Sequence, residues 1–404
     1  MPEAITLEDV CAARDRMRGH LAPSPSRQSA KLSALAGSEL ILKFENLQFT
    51  ASFKERGALN RLLLLTDAER RGGVCAVSDG NHGLAVAYHA RRLGIQATIV
   101  MAQHTPFIKL DHTRDHAAEV VLAGDSLQEA YEHGRALCIE RGLTFIHPYD
   151  DPAIMAGQGT VALEILEAHP QVDGLIVQIG GGGLIAGVAV AAKSLNPKLA
   201  IIGVQAQSDP SMAAALGRAS IDRRGSTIAE GIALKVPGVL TVPVVRDRVD
   251  EIVLVSEAAL EQAMGLLLDC EKTVTEGAGA AGLAAVVAAP ERYRGRCWAL
   301  ILTGGNIDPR LLSSVIMREL VREQRIMMLR IPIADRPGAL SQVTEAIARQ
   351  GGNILDIAHR KLSTETSARS TSLEVSFEAL DATHAHQIVG HLRDAGFEIR
   401  ITVP

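Results

Sequence analysis

The sequence predicts an α/β protein built on largely parallel sheet, followed by a smaller unit with a different rhythm. Two observations predict it. From about residue 39, short β-branched runs alternate with longer amphipathic runs, the pattern of parallel strands joined by helices. Past about residue 325, the order becomes strand, helix, strand, strand, helix, strand.

Taken in order, the opening "MPEAITLEDVCAARDRM" is acidic and reads as a helix, not a secretion signal. "ELILKF" (39–44) reads as a strand, "SFKERGALNRLLLL" (52–65) as a helix, "GVCAVS" (73–78) as a strand and "NHGLAVAYHARRLG" (81–94) as a helix. Further strands are expected at 96–101, 118–124, 143–148, 174–180, 200–206, 250–256 and 297–303, mostly separated by helices. "LLSSVIMRELVREQ" gives a helix ending near Gln324. The tail follows with the strand "MMLRIPI", a turn and helix in "RPGALSQVTEAIARQGG", and the strands "NILDIAHRKL" and "STSLEVSFEAL". It closes with the helix "ATHAHQIVGHLRDAG" and the strand "FEIRITV". This βαββαβ order is the ferredoxin-like plan, and a domain boundary is expected around 322–327.

A chain of 404 residues is too long for one core. Its 47% hydrophobic and 22% charged residues are those of a soluble globular protein. The net charge of −5, with no basic block, argues against a nucleic-acid partner. Five scattered cysteines without a CxxC pair read as reduced thiols in a cytoplasmic protein. The uncharged stretch from Gly174 to Ala192 is long enough to span a bilayer. Gln178 and four glycines at its centre instead make it a strand–turn–helix, so no membrane role is expected.

Chemistry concentrates where strands meet helices. In "QIGGGGLIAG", Gly180, Gly181, Gly182 and Gly183 end a strand and open an Ala-rich helix. Converging backbone N–H groups and a helix N-terminus suit a phosphate; a tight turn alone accounts for one or two of the glycines. The spacing is neither GxGxxG nor a P-loop. In "VSDGNHGLAVA", Ser78, Asp79, Asn81 and His82 lie at a strand's carboxyl end, where ligands collect in open sheets, although turn and cap roles serve equally. "LTGGNID" presents Thr303 and Asn306 at a third such junction.

"SFKERGA", "SDGNHG", "GGGGLIAG", "EGAGA" and "LTGGN", in this order and spacing, resemble the pyridoxal-phosphate enzymes of fold type II, especially threonine/serine dehydratases, with serine racemase a near relative. The resemblance spans about residues 20–320 and includes "AGQGTVALEI" and "TIAEGIALKVPG". It implies a tryptophan synthase β-subunit-like fold of two open α/β lobes, with a catalytic domain at 1–324 and a smaller lobe at roughly 52–150 inserted in it. It implies pyridoxal 5′-phosphate as cofactor, joined to Lys54 as a Schiff base, with Phe53 against the pyridine ring. The phosphate would rest on the amides of Gly180–Gly183 and Leu184, and Asn81 would bond the ring's 3′ oxygen. Ser78, Asn81 and His82 would lie near the substrate carboxylate. Thr303 would face the pyridine nitrogen with a neutral hydroxyl, favouring prompt β-elimination. The implied reaction turns L-threonine into 2-oxobutanoate and ammonia, and L-serine into pyruvate and ammonia, with Lys54 as base at Cα.

Two departures stand out. Asp79 occupies a position where serine racemases carry serine and many threonine dehydratases alanine. It is either a second base on the opposite face of Cα, as in diaminopropionate ammonia-lyase, or a loop residue satisfied by backbone amides. Gln205 and Ser211 stand where racemase-like relatives carry cation-binding carboxylates, so no metal site is expected.

The tail, 325–404, resembles an ACT domain through "DRPGAL" and "GGNILDIAHRK". It would bind an amino-acid effector or serve only to form a dimer; a homo-oligomer, dimer or tetramer, is expected. The readings that compete with threonine deamination are a lyase or racemase for another β-substituted amino acid (hydroxyaspartate, phenylserine, diaminopropionate, serine), and a non-catalytic amino-acid-binding regulator. A nicotinamide dehydrogenase is more distant, since no acidic residue follows a GxGxxG.

Overall fold

A computed structural model describes residues 4–220, 226–360 and 370–402. Residues 361 and 362 of the expected strand "NILDIAHRKL", and the ends of the first helix and last strand as read from sequence, lie outside the described residues. The chain forms two compact units, Met1–Asp308 and Pro309–Pro404. The helix Pro309–Arg322, read from sequence as the end of the first domain, groups with the second, packing against the strand that follows it.

Among the described residues the first unit holds ten strands in chain order: β1 (Ser26–Gln28), β2 (Glu39–Phe44), β3 (Val74–Val77), β4 (Ala97–Met101), β5 (Glu119–Leu122), β6 (Thr144–Phe145), β7 (Gly174–Gln178), β8 (Ala200–Ala206), β9 (Glu251–Val255) and β10 (Cys297–Leu302). They form two sheets, ordered β1-β2-β10-β7-β8-β9 and β5-β4-β3-β6. Every pairing is parallel except β1 with β2. Strands covered on both faces lose alternation, and β3, β4, β7 and β10 are buried throughout. Sequence reading missed β1, a three-residue polar edge strand with no apolar pattern. β6 is shorter than expected because His147 and Pro148 leave the strand for a turn. The uncharged stretch divides into β7 and the helix Gly183–Leu195, and among the described residues no helix is long and apolar enough to cross a membrane.

One helix, Pro152–Ala168, sets the geometry of the site. Asp151 caps it by accepting the Ala153 and Ile154 N–H groups, and Pro152 occupies its first turn, where no N–H is needed. The helix Lys54–Leu63 crosses it at Gly57 and Gly157: a Cβ on Gly157 would stand 2.7 Å from the Gly57 Cα. The helix Gly183–Leu195 crosses it two residues on, where a Cβ on Gly159 would stand 2.7 Å from the Gly187 carbonyl oxygen. Gln158, between the two crossings, accepts the Gly57 N–H at 3.1 Å. "AGQGT" is thus a double docking surface that fixes the start of one helix relative to the start of another.

Behind the Lys54–Leu63 helix lies a buried ionic cluster. Arg56, 1% exposed, donates to both oxygens of fully buried Glu45 at 2.7 and 2.8 Å and to both oxygens of Glu164 at 2.6 and 2.8 Å. Burial opposes its charge, but Glu45 and Glu164 more than offset that and raise its pKa. Lys43 adds a second cation to Glu164.

The second unit follows its opening helix with β11 (Ile326–Ala334), a helix (Ala339–Arg349), β12 (Asn353–Arg360), β13 (Ser370–Glu378), a helix (Ala382–Asp394) and β14 (Arg400–Ile401). The sheet is antiparallel, ordered β12-β13-β11-β14. Its own core gathers Leu329, Ile331, Val343, Ile347, Phe377 and Ile388.

Candidate active site

Lys54 is the first residue of its helix and half-buried. Its Nζ donates to the Pro148 carbonyl at 2.8 Å and lies 5.3 Å from the centre of the Phe53 ring. Burial pushes its ammonium down to about 8, against the opposing pull of the Glu276 carboxylate. Near neutrality this lysine is far closer to a free amine than a surface lysine is. Phe53 packs against the core of the first sheet, and its N–H donates to the Thr303 hydroxyl at 2.9 Å. Thr303 is thereby tied to the residue beside the lysine. With its oxygen accepting, its hydroxyl proton finds no acceptor among the described residues.

Asn81 and His82 open the helix Asn81–Arg92. Asn81 is held from both ends: its Nδ2 donates to Glu276 Oε1 at 2.8 Å, and its Oδ1 accepts from Asn306 at 2.6 Å. Asn306 also donates to the Thr50 carbonyl at 2.8 Å, just ahead of Lys54. His82 is 3% exposed and its Nε2 lies 3.0 Å from the Ile146 carbonyl, which makes that nitrogen the N–H donor. Burial, reinforced by the charge of Lys54, pushes His82 down to about 3, so it is neutral. Its Nδ1 is then a buried lone pair without a partner among the described residues. The N–H groups of this helix's first turn have no intrahelical partner by position and are donors for an anion. Ser78 accepts the Gly80 N–H at 3.2 Å. Half-buried Asp79 makes no hydrogen bond or ion pair among the described residues, and no backbone amide caps it.

In the glycine loop, the N–H groups of Gly180, Gly181 and Gly182 donate to no protein acceptor among the described residues. The amides of Gly183 and Leu184 begin the helix and have no intrahelical partner by position. Gly181–Gly183 are buried. Five donors without acceptors at the N-terminus of a 13-residue helix fit a phosphate. Packing supplies a second reason for two of the glycines: a Cβ on Gly181 would enter the Tyr149 ring, and one on Gly183 would meet the Tyr149 Cα at 2.9 Å. Gly182 has φ 98°, a conformation costly for any other residue.

Residues that bind pyridoxal phosphate need an amine of lowered pKa and a ready phosphate cradle, and both are present here. The sequence pattern of the family described as pyridoxal-phosphate dependent enzyme matches residues 17–304. The chain belongs to this family. It is similar to L-threonine ammonia-lyase of Thermotoga maritima, with 41% identity over 98% of this chain and 99% of that one. It is also similar to the catabolic L-threonine dehydratase TdcB of Escherichia coli, with 43% identity over 77% of this chain and 96% of that one. Among solved structures it resembles maize serine racemase, with a TM-score of 0.72 and 33% identity over 79% of this chain and 99% of that one. Pyridoxal phosphate is the family's cofactor.

Four neighbours of the site were not among the residues singled out from sequence: Glu276, Tyr149, Asp150 and Thr241. "EGAGA" contained Glu276 without marking its charge partner. Tyr149 and Asp150 lie in an unremarkable turn and Thr241 opens the helix Thr241–Arg248, and only the fold brings them to the glycine loop.

Proposed function

We propose that this protein deaminates L-threonine to 2-oxobutanoate and ammonia, and L-serine to pyruvate and ammonia. The observation that carries the reading is the half-buried Lys54 amine, lowered to about 8, held by the same helix that fixes a cradle of unpartnered amides. Relatives named for threonine deamination at 41% and 43% identity support the substrate.

Bound at this site, pyridoxal phosphate supplies an aldehyde for an amine and a ring that draws electrons from Cα. The amides of Gly180–Leu184 would hold its phosphate, and Lys54 would supply the amine that meets its aldehyde. Asn81, locked between Glu276 and Asn306, presents one remaining N–H to the ring's 3′ oxygen. Thr303, whose hydroxyl proton is unspent, would offer it to the ring nitrogen, which suits an unprotonated pyridine. The helix-start amides of Asn81 and His82, with Ser78, receive the substrate carboxylate. Lys54 Nζ, when neutral, takes the proton from Cα.

The second reading is a lyase or racemase for another β-substituted amino acid. It is favoured by Asp79, a carboxylate in the substrate loop with no bonding partner among the described residues.

We read the second unit as an ACT domain of ferredoxin-like topology that binds an amino-acid effector, the whole working as a homo-oligomer. The support is its β-α-β-β-α-β order and the position of "DRPGAL" and "GGNILDIAHRK" at the turn after β11 and along β12. Five unpaired cysteines suit a cytoplasmic setting.

Purified protein loaded with cofactor should be yellow and release 2-oxobutanoate from L-threonine, and Lys54→Ala should lose both colour and turnover. Faster release of ammonia from diaminopropionate or hydroxyaspartate than from threonine would replace the first reading by the second.

A further inference from the structure

The carbonyl of Gly181 points away from the cradle and is pinned there by two donors. The Gly238 N–H reaches it at 3.0 Å, and the Thr241 hydroxyl at 2.6 Å. The Gly181–Gly182 peptide is trans, so its N–H is antiparallel to that carbonyl. Fixing the carbonyl therefore aims the Gly182 N–H to the opposite side, where no protein acceptor meets it among the described residues.

Thr241 is fully buried, and its Cβ and hydroxyl lie where a side chain on Gly182 would stand. Its own segment is clamped in turn. Asp150 accepts the Val239 N–H at 3.0 Å and the Leu240 N–H at 2.8 Å, and Tyr149 donates its hydroxyl to the Val236 carbonyl at 3.0 Å. The Asp150 N–H donates to His147 Nδ1 at 2.8 Å, closing the turn that follows β6.

We propose that Thr241 is a positioning residue for the cofactor phosphate: its hydroxyl sets the orientation of the Gly182 amide, and Asp150 holds the strap that carries Thr241. This rests on reading the glycine loop as the phosphate site. It extends that reading to residues that touch neither cofactor nor substrate.

The test compares pyridoxal 5′-phosphate with pyridoxal, which lacks the phosphate, by equilibrium titration of the cofactor-free full-length protein. Thr241→Val keeps the shape and removes the hydroxyl. It should weaken pyridoxal phosphate binding by about 5–10-fold, the worth of one hydrogen bond near 1 kcal/mol. Pyridoxal binding should be unchanged. Thr241→Ser, which restores the hydroxyl, should recover the affinity, and Asp150→Asn, with one acceptor left for two amides, should fall between. The cofactor-free variants should still melt cooperatively, within a few degrees of the wild type, because one buried hydrogen bond is worth about 1 kcal/mol. If Thr241→Val binds pyridoxal phosphate as the wild type does, or weakens both ligands alike, the inference is overturned. If the wild type itself fails to distinguish the two ligands, the phosphate reading of the loop fails, and the inference with it.

Discussion

Lys54 carries two opposing influences, burial pushing its pKa down and Glu276 pulling it up, with a balance at about 8. Removing the carboxylate should tip that balance. In cofactor-free Glu276→Gln, Lys54 should titrate below about 8, so that its reaction with an amine-selective reagent begins at lower pH than in the wild type. An unmoved pH profile would mean that Glu276 does not act on the amine. The same substitution leaves Asn81 a neutral partner, so it separates charge from shape. At Asp79 the structure distinguishes the two sequence readings in part. Because no backbone amide donates to its carboxylate among the described residues, Asp79→Ala should change stability by no more than about 0.5 kcal/mol. If Asp79 is a second base, the wild type should exchange the α-proton of a D-configured substrate, and the variant should lose that exchange by ~10²–10⁴-fold. No exchange in the wild type removes the role altogether.

At the scale of elements, two helix starts carry the chemistry and a third helix holds both in place. A single methyl at Gly187 would meet the Met155 carbonyl and stand 2.7 Å from the Gly159 N. Gly187→Ala should therefore cost about 1–3 kcal/mol by overpacking. It should also weaken cofactor binding, because the strain displaces the helix that begins at Gly183. Denaturant unfolding and cofactor titration together measure the two effects. If stability falls while cofactor affinity holds, the crossing is structural only.

For the whole molecule, acid should act through neutral histidines, one buried and one half-buried. His82 is pushed down to about 3 and His147 to about 4, by burial in each case, from an ordinary value near 6.5. Below about pH 6.5 the unfolded chain takes up protons that the folded one refuses, so stability falls as pH drops toward 4. Each such histidine steepens the fall by about 1.4 kcal/mol per pH unit. Urea midpoints between pH 7 and 4.5 should decline, and His147→Asn should flatten the decline. Deletion of residues 309–404 should leave a unit that folds and still deaminates threonine, but no longer responds to amino acids that modulate the full chain. A truncated protein with the full chain's effector response would locate the effector elsewhere.

Much of this was legible in the residues themselves. Runs such as "GLIVQIG" and "CWALILT" declared buried parallel strands, since a strand covered on both faces must be apolar throughout. Four successive glycines after a strand marked a helix start with open amides, while the Tyr149 ring that also demands Gly181 and Gly183 could not be read from them. The rhythm of the tail matched its order of strands and helices, which form an antiparallel sheet. Polarity hid β1, and the edge of a sheet demands nothing else of three residues. The boundary at Asp308 followed packing that no local pattern encodes. The partners of the site were likewise a matter of tertiary structure. Glu276 meets Asn81 across 195 positions and Thr241 meets Gly181 across 60, and no periodicity spans such distances. Local sequence determined which backbone groups were left without partners. Only the packing of helices around Pro152–Ala168 decided which charges and hydroxyls would stand beside them, since hydrogen bonds and Coulomb forces act through space and not along the chain.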